Sequence, residues 1–343
     1  MTHTTAQGSH SPTIAITGAA GYIGSRVVDI LLRNHPNWDL RAIDTFYRGT
    51  VRKIGDIEVQ YVDIRNRTRL EEALANADVV MHLAAISGVD DCDENRDLAY
   101  EVNVQGTENV AWFCRKTGAA LVFPFSMAVL GDPTEFPITV DLPRNPMNWY
   151  GRTKHLNEQA IVTMAEDSFP AHFFMKSNLY GEHWVGNQLI TKGTVINFFI
   201  ERAFSEDPLT VYEPGTQARN YINVRDVADA YISSAEVLLE RLEAGETGAR
   251  SYEIASHEDP SVMTVATLVQ EIVREEAAIE TDVELVKNPR GNETLVSEFS
   301  VDTSRARQEL GWKPERTVEE SIRKLVRRRV TNSSQDHSTL PNQ

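Results

Sequence analysis

Thr17-Gly18-Ala19-Ala20-Gly21-Tyr22-Ile23-Gly24 decides the fold. The stretch follows a short apolar run, residues 13–17, that reads as a strand. It leads into residues 22–34, which read as a helix because Ile23, Val27, Ile30 and Leu31 share one face. Glycines at 18, 21 and 24 make the turn tight, bring the backbone close to a diphosphate and let the helix pack on the sheet. The free N–H groups of the helix N-terminus then face the phosphates. A glycine triplet alone is common turn punctuation; the strand–turn–helix setting gives this one its weight. Asp44 closes the next apolar run, 20 residues past Gly24. A carboxylate there accepts hydrogen bonds from the adenosine ribose hydroxyls and repels a 2′-phosphate, which favours NAD over NADP as cofactor.

The alternation continues outward. Residues 59–62, 79–83, 120–125 and 171–176 read as strands, and 69–75, 100–117 and 149–166 as helices, the second ended by Gly118. This rhythm means βαβ units and a parallel sheet covered on both faces. Asp63 and Ile64 end the third strand, where adenine contacts fall in such an architecture. Leu83, Ala84 and Ala85 end the fourth, and their small side chains let a cofactor lie against the backbone. After Tyr180 the loops lengthen, with later helices expected at 228–241 and 264–275.

Bulk properties exclude several classes. The 343-residue chain carries 50 acidic and 34 basic residues, a net charge of −16, so nucleic acid and anionic membrane are poor partners. Only 8 of the basic residues are Lys against 26 Arg, an acid-rich, lysine-poor balance that suits concentrated salt. Two cysteines, Cys92 and Cys114, cannot build a disulfide framework, and no His/Cys spacing suggests a metal. Without a long apolar run or a leader-like start, the expected compartment is the cytoplasm.

Tyr150-Gly151-Arg152-Thr153-Lys154 places Tyr150 and Lys154 on one helical face. A phenol is a weak base at neutral pH, but a fixed ammonium and a nicotinamide cation beside it favour the phenolate. The same ammonium can hold the nicotinamide ribose. Ser126, just past the fifth strand, can hydrogen-bond the reacting hydroxyl.

Together these motifs resemble the NAD-dependent epimerase/dehydratase family, the extended short-chain dehydrogenases, over about residues 13–330. Residues 17–24 resemble its TGxxGxxG, 82–85 its HxAA strand end, and Tyr150 with Lys154 its YxxxK. Asn103, in Asn103-Val104-Gln105-Gly106-Thr107, resembles the Asn of its NxxGT helix, a cofactor-side position. Asn178-Leu179-Tyr180-Gly181 and the segment beginning at Arg219 resemble two motifs whose Asn and Arg contact a sugar-nucleotide diphosphate; Arg290 is a weaker candidate for that task. Residues 310–314 resemble the C-terminal LGWxP signature. The resemblance implies a nucleotide-sugar substrate and a homodimer. It also implies a doubly wound, parallel-sheet Rossmann domain (12–178 and about 222–255) with a smaller α/β C-terminal substrate domain (about 179–221 and 256–330). Residues 1–11 and 331–343 are expected to be disordered.

Departures from the pattern narrow the reaction. Dehydratases and glucuronate decarboxylases of the family carry carboxylates just after the catalytic Ser/Thr, where this chain has Met127 and Ala128, which cannot transfer protons. That leaves C4 epimerisation through a 4-keto sugar, as in the family's UDP-sugar 4-epimerases. The Gly131-Asp132-Pro133 turn resembles the decarboxylases, and the Ser126 turn also resembles threonine dehydrogenases, so the alternatives are a nucleotide-sugar decarboxylase or dehydratase and a threonine dehydrogenase. Asp132, Glu135 and Asp141 are near enough in sequence to supply a carboxylate.

Overall fold

The computed structural model describes residues 11–289 and 294–338. Arg290 and the expectations for residues 1–10 and 339–343 lie outside the described residues.

Seven strands build the main sheet: β1 (Thr13–Thr17), β2 (Asp39–Asp44), β3 (Gln60–Tyr61), β4 (Val79–His82), β5 (Ala120–Ser126), β6 (Pro170–Lys176) and, after the short β7 (Asn178–Tyr180), β8 (Leu209–Tyr212) and β9 (Tyr221–Asn223), the last sheet strand β10 (Gly248–Ile254). Their order is β10-β6-β5-β4-β1-β2-β3, every pairing parallel. The order reverses on either side of β1, so crossovers lie on both faces, the Rossmann-like, doubly wound arrangement that the alternation predicts. β1, β4 and the body of β5 are buried throughout, which is why they read as unbroken apolar runs.

One face is covered by α1 (Gly24–Asn34) and α8 (Val224–Glu243), through Val27, Leu31, Tyr231 and Leu238. The other is covered by α2 (Arg67–Ala73), α5 (Thr107–Thr117) and α6 (Trp149–Ala165), through Leu70, Val110, Phe113 and Ile161. A separate core joins α7 (Val195–Phe204), α9 (Val262–Ala277) and α11 (Val318–Ser338) to β8 and β9, around Tyr180, Phe199, Val269 and Ile322. β8 pairs with β11 (Val283–Val286) and β9 with β7, both parallel.

Several expectations are corrected. After the short α3 (Val89–Glu94), the helix expected over 100–117 is three pieces: α4 (Arg96–Tyr100), a π-helical segment Glu101–Gly106, then α5. α5 does end at Gly118, in the left-handed conformation that glycine adopts without strain (φ +81°). Tyr22 and Ile23 belong to the turn, since α1 begins at Gly24. The strand expected at 59–62 shrinks to the two residues of β3. α10 (Ser304–Leu310) and Trp312 pack against the main sheet's core, not the second one: Ala306, Leu310 and Trp312 join Tyr231 and Tyr252, and the Trp312 indole donates to the Asp226 carbonyl at 2.9 Å. The C-terminal signature therefore docks on α8 as a buried apolar plug. α11 continues through Ser338, eight residues into the stretch expected to be disordered.

Candidate active site

The C-terminal ends of β1, β2, β4, β5 and β6 open onto one cleft of about 1050 Å³, closed opposite by residues that include Thr191, Lys192, Arg219 and Thr294. Ligands of open α/β sheets occupy this edge, where the strand order switches.

At the glycine-loop end, Gly18 has φ +71°, and a Cβ on it would lie 2.6 Å from the Ala84 backbone nitrogen. A Cβ on Gly24 would strike the Gly18 carbonyl. Glycine is thus required where the loop presses on the end of β4. α1 starts without a side-chain cap; Ser25 and Val27 donate back to the Gly21 and Ile23 carbonyls, and the turn residues Gly18, Gly21, Tyr22, Ile23 and Gly24 line the cleft at the helix's N-terminus. Asp44 ends β2 beside them and accepts from the N–H groups of Ala20 (3.0 Å) and Phe46 (2.7 Å). Burial pushes its carboxyl up, and those N–H groups counter the shift. Leu83, Ala84 and Ala85 form the adjoining wall, and Asp63 and Ile64 the far end. Arg65 clamps Asp63 at 2.6 Å and, as a hydrogen-bond donor, holds that carboxyl below its usual value. A diphosphate cradle with no room for a Cβ, an uncapped helix start and a carboxylate one strand away fit NAD: the loop would hold the diphosphate and Asp44 the adenosine ribose.

Asn103 stands apart from this set. It is buried and is not among the cleft-lining residues. Its amide accepts from the Ile86 N–H (2.8 Å) and donates to the Ile86 carbonyl (3.0 Å). Its place is behind the wall, where it pins the loop after β4.

At the other end, Ser126, Tyr150 and Lys154 line the cleft together. The junction is set by Gly151: a Cβ there would lie 2.5 Å from the Ala128 carbonyl, so the first turn of α6 rests directly on the Ser126 turn. Asn148 caps α6 by accepting the Gly151 N–H at 2.8 Å. Burial pushes the Tyr150 phenol up to about 12, while a hydrogen bond with Ser126 pulls it down. Burial pushes the Lys154 ammonium down to about 8; it lies 5.8 Å from the Tyr150 ring centroid and 4.6 Å from that of Phe123. Asn178 is exposed on the cleft wall. Arg219 is half-buried, its guanidinium donating to the carbonyls of Ala218 (2.8 Å) and Thr294 (2.5 Å).

Two features go beyond the motifs. One is a buried polar chain, Thr17–His82–Thr107, which joins the polar residues of three separate motifs behind the glycine loop. The other is Lys176, which ends β6 directly opposite Ser126 and lines the cleft. The signal for each is a polar residue closing an otherwise apolar strand.

The model of the family described as NAD dependent epimerase/dehydratase matches residues 14–254. A putative UDP-glucose 4-epimerase of Methanocaldococcus jannaschii is 29% identical over 319 residues, covering 91% of this chain and 97% of the relative. A UDP-glucose 4-epimerase of Schizosaccharomyces pombe is 27% identical, covering 91% and 92%. In structure, the Thermus thermophilus UDP-glucose 4-epimerase, solved in complex with NAD, superposes with a TM-score of 0.77 at 24% identity, covering 92% of this chain and 97% of that one.

Proposed function

The chain belongs to the NAD-dependent epimerase/dehydratase family, and from that premise we propose that it inverts C4 of a UDP-sugar through a 4-keto intermediate. The observation that carries this reading is the company kept by Ser126. Met127 is buried after it, Ala128 follows, and Asp132, Glu135 and Asp141 are all absent from the cleft wall. Among the described residues the cleft's carboxylates are Asp44, Asp63 and Asp91. The first lies at the glycine loop, and the other two are ion-paired with Arg65 and Arg48. The family's dehydratases place a carboxylate just after the catalytic Ser/Thr for acid–base work beyond the redox step, and among the described residues none of the cleft's carboxylates takes that position.

Bound NAD supplies the hydride acceptor and, once reduced, the donor for C4. Tyr150 removes the O4 proton and later returns it. Without added positive charge its phenol stays protonated, so the Lys154 ammonium, charged at neutral pH, is positioned to favour the phenolate. Ser126 hydrogen-bonds the C4 oxygen, alcohol or ketone, throughout. Asn178 and Arg219 hold the diphosphate, so that the sugar turns while its anchor stays fixed.

We also infer a homodimer through α5 and α6. Trp112 (42% exposed), Leu156 (48%) and Val162 (46%) leave large apolar surface on these two adjacent helices. Sedimentation tests it: a monomer at micromolar concentration overturns it. A cytoplasmic setting accords with two buried free thiols, Cys92 and Cys114, and no helix among the described residues is long and apolar enough to cross a membrane.

The deciding experiment is incubation with UDP-glucose, UDP-galactose, UDP-glucuronate and dTDP-glucose, with products resolved by chromatography and mass. An isobaric product inverted at C4, formed without net NADH, supports epimerisation. Loss of water or carbon dioxide refutes it.

A further inference from the structure

The chain has only eight lysines, yet three of them, Lys154, Lys176 and Lys192, line this cleft, within a protein of net charge −16. Of the cleft's arginines, Arg48 and Arg65 are engaged by Asp91 and by Asp63 and Glu101, and Arg219 donates to the carbonyls of Ala218 and Thr294. Lys192 donates to Ser87 at 3.0 Å across the cleft mouth. Lys154 is committed to Tyr150. Lys176 is left over: its half-buried ammonium has no hydrogen-bond or ion-pair partner among the described residues, only the face of Tyr231 with the ring centroid 6.0 Å away.

Its location narrows what it can meet. Lys176 pairs in register with Ser126, and its ammonium feels those of Lys154 and Lys192, which add to burial in pushing it down to about 7. Tyr231, beneath it, also neighbours Tyr150. This is the reacting-sugar end of the cleft, not the glycine loop, where a diphosphate meets backbone N–H groups. A half-buried, unpartnered ammonium is costly, so it either gives up its proton or gains an anion, and an anion beside it would hold the proton in place.

We propose that Lys176 receives a carboxylate carried by the reacting sugar, making the preferred substrate a nucleotide-activated hexuronate. This rests on the epimerase reading above. A sugar carboxylate one carbon beyond the ring lies close to C4 and would form a charge-assisted hydrogen bond with the ammonium. A neutral hexose would leave the ammonium without a partner.

The test compares UDP-glucuronate with UDP-glucose on the NAD-loaded enzyme, in both binding and turnover, with UDP alone as a third ligand. Wild type is expected to favour the acid by about tenfold or more, the effect of one charge-assisted hydrogen bond. Lys176→Met should remove most of that preference, Lys176→Arg should retain more of it, and UDP affinity should be the same in all three. Equal binding of the two sugars by wild type overturns the inference and leaves the epimerase reading intact. An equal loss of UDP affinity in Lys176→Met also overturns it, by moving Lys176 to the diphosphate. If no sugar is turned over but the Lys176-dependent preference for UDP-glucuronate binding is present, the epimerase reading falls and the ligand assignment stands. If Lys176→Met fails to bind NAD, wild type and Lys176→Arg decide between the same outcomes.

Discussion

The Nδ1 atom of His82 lies 2.7 Å from the Thr17 hydroxyl, and its Nε2 atom 2.9 Å from the hydroxyl of Thr107. Thr17 also accepts the Ala84 N–H at 3.1 Å and Thr107 an Asn157 N–H at 3.4 Å, so one hydroxyl can give its proton to the neutral ring while the other accepts the ring's N–H. Full burial favours the neutral ring, which ties β1, β4 and α5 together just behind the glycine loop. Burial holds its pKa down at about 3.

That depression has a consequence for acid stability. The folded pKa of His82 lies below its unfolded value of 6.5, so the unfolded chain takes up the proton first. Stability is fully present above pH 6.5 and falls as the pH drops toward 3. The slope from this one group approaches about 1.4 kcal/mol per pH unit. His172 and His183 are depressed by burial in the same direction and steepen the fall. Denaturant titrations between about pH 6.5 and 5, above the range of ordinary carboxylates, should show this loss. His82→Gln, compared with wild type, should flatten it by about one proton; an unchanged slope would mean that His82 is not neutral in the fold.

Asp44 is expected to make the enzyme prefer NAD to NADP. Its carboxylate is held by two backbone N–H groups at the edge of the ribose position, where a 2′-phosphate would meet a fixed negative charge. Calorimetric titration with both oxidised cofactors checks this. Equal or tighter binding of NADP contradicts the assignment.

Tyr150→Phe should fold and bind NAD, yet lose about two decades of turnover or more, the scale of a positioned acid–base group. The ring that packs with Ile86 and Cys92 is retained, so only the hydroxyl is removed. Near-normal turnover would take proton transfer away from Tyr150.

The sequence reads clearest where one backbone requirement excludes all alternatives. Gly18 and Gly24 cannot carry a Cβ, and a carboxylate ending β2 has one ribose to face, so that end of the cleft is legible from spacing alone. Asn103 misleads because its motif position fits two tasks, and only the fold shows that its amide is spent on Ile86. The π segment Glu101–Gly106 is equally hidden, since its residues would suit a regular helix, and tertiary contact selects the wider turn. Lys176 is invisible for another reason: its meaning lies in the register that sets it opposite Ser126, a pairing between strands 44 residues apart in the chain at the start of β6 and the end of β5.

Arg219→Ala should weaken sugar-nucleotide binding by about 1.5–3 kcal/mol, the scale of a charge-assisted hydrogen bond. NAD affinity should hardly change, because Arg219 lines the wall opposite the glycine loop. The guanidinium also donates to the carbonyls of Ala218 and Thr294, so its removal leaves two acceptors to find new partners. A structural loss of that kind would lower the melting temperature and weaken both ligands together. Arg219→Lys separates the two effects: it keeps the positive charge but cannot span both carbonyls and a phosphate with one fork. Selective loss of UDP-sugar affinity, complete in Ala and partial in Lys, is the expected pattern, read by calorimetry at saturating NAD. Parallel losses of UDP-sugar and NAD in both variants would instead assign Arg219 to holding the Thr294 segment against the cleft.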